Sequence, residues 1–235
     1  MKWTYLLIDF FTIIIPFIFS FHPKLQFYKK FGAFIRANII VGILFILWDA
    51  WFTQMGIWGF NPTYLTGLNI LNLPIEEALF FLCIPFSCVF TYHSLKLFRA
   101  SKLPSKTEKL VVLVVSIAFL LVGLLFYSRL YTSFTFIGLA AALLSLKFIF
   151  NVNWLRHFSF SYLILLIPFF IVNGILTGTG LENPVVWYDN THNLGIRLMT
   201  IPVEDIFYGA LLILLNIFFY ESFNTSKEFK TTTIY

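Results

Sequence analysis

The sequence predicts an all-α membrane protein in which seven transmembrane helices form two parallel three-helix repeats joined by one linking helix. Three observations predict it. Of 235 residues, 59% are apolar, 20% aromatic and only 11% charged, outside the range of a soluble domain. The chain offers seven apolar runs, each close to the roughly 17–25 residues that cross a hydrocarbon core about 30 Å thick. Finally, Pro74-Ile75-Glu76-Glu77 recurs 128 residues later as Pro202-Val203-Glu204-Asp205, and each copy opens a long apolar run.

Taken in order, the runs cover residues 5–21, 33–52, 75–92, 110–127, 134–150, 160–176 and 203–220. The first follows Lys2 as a secretory signal would, but Phe19-Ser20-Phe21 lacks the small residues of a cleavage site, so it reads as a retained helix. The third holds both cysteines, Cys83 and Cys88. Five residues apart on one helix, they point about 140° away from each other and cannot bridge. The histidines, His22, His93, His157 and His192, share no ligand spacing, and no metal site is expected.

Orientation follows from the basic residues. With the amino terminus outside, the inner segments hold Lys24, Lys29, Lys30, Arg36, Lys96, Arg99, Lys102, Lys106, Lys109, Lys147, Arg156, Lys227 and Lys230, thirteen of the sixteen Lys and Arg. Lys2, Arg129 and Arg197 remain outside. This asymmetry predicts a multi-pass cytoplasmic-membrane protein with its carboxyl terminus inside. The net charge of +5 then reports topology and contact with anionic lipid, with no nucleic acid partner.

The repeat extends beyond the tetrapeptide. The first run lies over the fifth, the second over the sixth and the third over the seventh, with Asp49 over Asn173 and Gly56, Asn61 and Pro62 over Gly180, Asn183 and Pro184. A length difference of four to six residues falls in the loop before each motif. The expected organisation is a first repeat at 1–95, a linking segment with the fourth helix at 96–128, a second repeat at 129–221 and a cytoplasmic tail at 222–235. A three-helix unit begins and ends on opposite faces, so one extra crossing is what makes two such units parallel. Both acidic motifs then meet the same leaflet.

Proline at a helix start and acids in the first turn are also what an ordinary helix N-terminus prefers. The number of acids argues for more than that: Asp9, Asp49, Glu76, Glu77, Glu204 and Asp205 all approach the outer half of the membrane, where carboxylates are costly and usually functional. Adjacent helical residues point about 100° apart, so only one acid of each pair faces a common centre. Glu76 and Glu204 are the expected inward pair, because both copies keep Glu there, and Glu77 and Asp205 rank second.

With Trp48-Asp49 near the end of the second helix and Asn173-Gly174 in the equivalent place, the doubled motif resembles that of the membrane-embedded lycopene cyclases, in their heterodimeric or fused form. The resemblance spans about residues 5–220. It implies a lycopene β-cyclase: a carboxylic acid protonates the terminal C1–C2 double bond of the polyene, the C5–C6 double bond attacks the tertiary cation, and loss of a ring proton leaves a β-ionone end. By this resemblance the catalytic candidates are Glu76, Glu204, Glu77 and Asp205, and the substrate-binding candidates Asp49, Asn173, Trp48 and Trp51. The reaction needs an acid kept neutral in a water-poor site and aromatic faces for a cation.

No cofactor is expected. Gly178-x-Gly180 lacks the third glycine and the flanking strand of a dinucleotide site. The implied partners are a lipophilic polyene taken from the bilayer and lipid itself, with an obligatory protein partner made unnecessary by two units in one chain. A retinal photoreceptor is excluded by the absence of lysine from 203–220, and a membrane prenyltransferase by the absence of an Asp-rich cluster. A proton-coupled transporter using the carboxylate cluster, or a carotenoid-binding protein without turnover, is the alternative.

Overall fold

The computed structural model describes residues 2–98 and 105–232, with side chains described for 2–98 and 107–224. Its helices are α1 (Thr4–Phe19), α2 (Phe31–Gln54), α3 (Ile75–Phe98), α4 (Ser105–Leu125), α5 (Leu130–Leu144, continued by a π-helical turn over Ser145–Ile149), α6 (Leu155–Leu176) and α7 (Val203–Thr232). The short strands are β1 (Trp58–Phe60), β2 (Asn69–Ile70), β3 (Leu73–Pro74), β4 (Val186–Tyr188), β5 (Arg197–Leu198) and β6 (Ile201–Pro202).

The chain is an all-α, multi-pass membrane protein. Among the described residues, six helices are long and apolar enough to cross a membrane, whereas α1, at 16 residues, is shorter than the predicted run and spans about 24 Å. Several helices outrun their apolar stretches, notably α3, which continues six residues past Tyr92. Hydropathy marks the lipid zone and not the end of the hydrogen-bond ladder. Of the basic residues that set the expected orientation, Arg99, Lys102 and the side chains of Lys106, Lys227 and Lys230 lie outside the described residues.

Between the second and third helix of each repeat, the same structure is built twice at an offset of 128. Hairpin β2–β3 pairs Asn69 with Pro74 and Ile70 with Leu73, and hairpin β5–β6 pairs Arg197 with Pro202 and Leu198 with Ile201. Their turns carry Leu71 (φ 57°) and Met199 (φ 60°). Pro74 and Pro202 end these hairpins directly ahead of α3 and α7, where a missing N–H costs no helical bond. Strands β1 and β4 pair antiparallel with each other, centred on Gly59 opposite Trp187. Asn61 N donates to Val185 O at 2.8 Å and Asp189 N to Ile57 O at 2.9 Å, so the pairing is reciprocal. The pseudo-two-fold axis passes through this ribbon.

That register corrects one expectation. Asn61 corresponds to Asp189, not to Asn183: their side chains accept from Thr63 N at 3.0 Å and Thr191 N at 2.8 Å respectively. Nine residues join α6 to β4 where three join α2 to β1, so the extra length lies before the strand. Asn183-Pro184 belongs to that insertion.

Helix packing follows the same symmetry, with α3 against α1 and α7 against α5 within repeats, α2 against α7 and α3 against α6 between them, and α4 laid on α5. In lipid, packing and interhelical hydrogen bonds hold such bundles together, at about 0.6–2 kcal/mol per bond. Pro85 inside α3 cannot donate to Phe81 O, and Asn38 of α2 supplies that missing donor at 2.8 Å while reaching Asn216 of α7 at 3.2 Å. Pro16 inside α1 likewise frees Thr12 O, which lies 2.9 Å from the Ser87 hydroxyl of α3. At the opposite end of the bundle from β1 and β4, Tyr92 donates to Glu221 at 2.8 Å and Tyr220 meets His93 at 2.9 Å, a second pair of contacts related by 128.

Candidate active site

Beneath the β1–β4 ribbon, a cavity of about 710 Å³ opens between α1 and α6 and reaches inward to α3 and α7. Its lining is almost wholly apolar. The acids it contains are Asp49, Glu77 and Asp205. Each is held differently. Glu77 Oε2 accepts from the Tyr5 hydroxyl, and Asp49 Oδ1 accepts from the Trp58 indole N–H. Asp205 takes three donors: Tyr131 Oη at 2.6 Å, Asn173 Nδ2 at 2.8 Å and Tyr188 Oη at 3.0 Å. Burial, and then the charge of Asp205, hold the Tyr188 hydroxyl protonated well beyond the ordinary tyrosine range, so it stays a donor.

Tyr5 and Tyr131 are equivalent, one at the start of each repeat's first helix, and each donates to the second acid of its own repeat's motif. The preference for Glu76 and Glu204 as the inward pair is therefore corrected. Glu76 Oε1 instead accepts from Thr66 N at 2.6 Å, and Glu204 Oε1 accepts from Leu194 N at 2.7 Å and Thr132 Oγ1 at 2.6 Å. Both reach back ten residues to tie the hairpin to the helix that follows it. Position in the first turn decides this, since only the first acid of each motif stands within reach of the loop amide. Rotation by about 100° then turns the next residue toward the cavity.

The other predicted residues divide. Asn173 and Asp49 line the cavity. Trp48 and Trp51 do not: they pack around Phe134, with ring centroids 6.4 and 5.3 Å away, Trp48 backs the cavity ring Tyr208 at 5.2 Å, and Trp51 is 45% exposed. The rings that do reach the acids are Tyr5, Trp58, Tyr131 and Tyr188, with Tyr208 packed against Trp58 and Tyr131. Trp58 lies 5.1 Å from Tyr131 and 6.2 Å from both Tyr188 and Tyr208, while Tyr131 stacks on Tyr188 at 5.9 Å. In the sequence nothing distinguishes these from aromatic residues at a membrane interface.

Asp9 is buried on α1 with neither carboxyl oxygen bonded to a described group. His192 stays out of the cavity and supplies its backbone carbonyl to Tyr131 N at 2.9 Å. Among the described residues, no group of three or more His, Cys, Asp or Glu side chains is arranged to hold a metal ion.

The sequence model of lycopene cyclase matches residues 2–95 and again residues 128–223, leaving between them the segment that carries α4. No curated protein and no solved structure matches the chain. Two matched regions, each contributing one motif acid to one cavity, cover most of the sequence, and the chain belongs to the lycopene cyclase family.

Proposed function

We propose that the protein is a lycopene β-cyclase working by acid–base chemistry alone. The observation that carries this reading is that Glu77 and Asp205, one from each repeat, face a single apolar cavity walled by aromatic rings. A proton delivered to C2 of the terminal double bond leaves a tertiary cation at C1. Attack by the C5–C6 double bond forms the C1–C6 bond, which closes the ring and moves the cation to C5, and loss of the C6 proton leaves the C5–C6 double bond of the β-ring. One proton enters and one leaves, so the site needs a donor and an acceptor but no net supply from water.

The hydrogen bonds support a division of roles. Three donors converge on Asp205, which suits it to act as a carboxylate, first as counter-charge to the cation and then as base. Glu77 accepts a single bond and shares the cavity with Asp49, which suits this pair to hold the proton that is delivered. Trp58 and Tyr208 offer ring faces to the cation. Glu76 and Glu204, also among the expected catalytic acids, are assigned to holding the hairpins.

The same reading divides the chain into repeats at 1–95 and 129–221, a linker at 96–128 and a tail at 222–235. It sets the acids at the outer leaflet of the cytoplasmic membrane, since Lys24, Lys29, Lys30, Lys96, Lys147 and Arg156 occupy the opposite ends of the helices. Both halves of the site come from one chain, which removes the need for a protein partner. The test is expression in a bacterium that accumulates lycopene, followed by pigment chromatography. β-Ring products are expected, and unchanged lycopene beside folded protein refutes the proposal.

A further inference from the structure

The pseudo-two-fold axis creates two related clefts, one between α1 and α6 and one between α5 and α2. Among the described residues the first is open and rings occupy the second. On the open side stand Ile8, Val172 and Leu176, all lining the cavity. Counting from the equivalent pairs Tyr5/Tyr131 and Asp49/Asn173, their counterparts on the other side are Phe134, Trp48 and Phe52. Those three rings fill their cleft, with Phe134 5.7 Å from Phe52 and Trp48 5.7 Å from Phe52. One side of the duplication has been packed shut.

The open cleft is long as well as apolar. Its lining on α3 runs from Glu77 to Thr91 and on α6 from Tyr162 to Leu176, fifteen residues in each case, or about 21 Å along the helix axes. The acids and the rings that bond to them, Tyr5, Trp58, Tyr131 and Tyr188, lie at one end. At the rim, Phe11, Ile15 and Ile171 line the cavity and are still 65%, 62% and 62% exposed, so the cleft opens sideways where lipid would lie.

We propose that a linear isoprenoid polyene enters sideways from the bilayer between α1 and α6 and lies along this groove, with one end group at Glu77 and Asp205 and the other end outside. This rests on the cyclase reading and adds the route, the orientation and a consequence. An extended C40 polyene is longer than the groove, and the related cleft is filled, so the two ends are served in succession. Cyclising the second end requires the product of the first to leave and return reversed. The groove also assigns specificity: Ile8 and Val172 set the width available to the polyene shaft.

Two measurements test this. In a Glu77→Gln/Asp205→Asn chain, which binds without turnover, lycopene retained through detergent purification is read per chain from its visible absorbance. Ile8→Phe with Val172→Trp copies the packing that the filled cleft already tolerates, and it should cut retention about tenfold or more, as overpacking a contact does. Ile171→Trp, at the exposed rim, should lower it in the same direction without burying new bulk. Ile43→Trp, on the lipid-facing side of α2, should not change it. Equal retention in all these variants overturns the groove. In the active chain given labelled lycopene with excess unlabelled monocyclic carotene, the bicyclic product should lose most of its label, because the half-cyclised polyene leaves before its second end enters, and bicyclic product that keeps its full label overturns the release step. A chain that retains lycopene through the groove yet never cyclises it refutes the reaction while leaving the groove standing.

Discussion

Asn173 donates a 2.8 Å hydrogen bond to Asp205, whereas the equivalent residue of the first repeat, Asp49, takes its own hydrogen bond from Trp58 and shares the cavity with Glu77. A duplicated fold has thus made two unlike acid sites. One carboxyl is surrounded by donors and the other is set beside a second carboxyl. This difference underlies the proposed separation of base from acid.

Glu77→Gln and Asp205→Asn should each lower turnover by about 10²–10⁴, the usual worth of general acid–base catalysis, with normal expression and folding. Glu76→Gln and Glu204→Gln keep an oxygen that can accept from Thr66 N and Leu194 N, so their turnover should stay within a few-fold of the parent. Initial rates in lipid vesicles decide it. The reverse ranking would return the catalytic role to the first acid of each motif.

Asn173→Asp makes the second repeat resemble the first by replacing a donor to Asp205 with another carboxyl. The two acids should then compete for one proton, and turnover should fall more than in Asn173→Ala, which removes only one bond worth about 1.5–3 kcal/mol. Equal losses in the two variants would show that Asn173 acts only through that bond.

Gly59 sits opposite Trp187 at the centre of the ribbon, and a Cβ there would lie 2.3 Å from the indole ring. Gly59→Ala should destabilise the protein by about 1–3 kcal/mol, the typical cost of overpacking. Trp187→Ala should relieve most of that loss. Thermal denaturation of the two single variants and the double variant gives the coupling directly.

Pro85 and Asn38 form a second testable pair. Asn38→Ala strips Phe81 O of its donor inside the membrane and should cost about 1–2 kcal/mol. In a Pro85→Ala background the helix supplies its own N–H to that carbonyl, so the same change should cost less. A denaturation series showing no coupling would remove Asn38 from this role.

A reporter fused after Tyr235 should be cytoplasmic and one inserted within 56–73 external, because basic residues gather at the ends of the helices remote from the acids. A cytoplasmic signal from 56–73 would reverse the orientation.

Membrane class, repeat and acidic motifs are all legible in the unfolded chain. Composition and apolar run length measure transfer into lipid, which is a local property of each segment, and the recurrence of Pro-x-Glu at 128 residues needs no folding to be seen. The tertiary structure decided which acid of each pair faces the cavity, because Glu76 and Glu77 differ only in whether a loop amide ten residues upstream is within reach. It also decided which rings matter. Trp48 and Trp58 are alike in sequence, yet one fills a closed cleft and the other donates to Asp49, since the ribbon between repeats carries Trp58 over the cavity. The same holds for the open cleft: Ile8 and Val172 become a mouth only because two helices distant in sequence stand side by side, and that proximity arises from packing between the repeats.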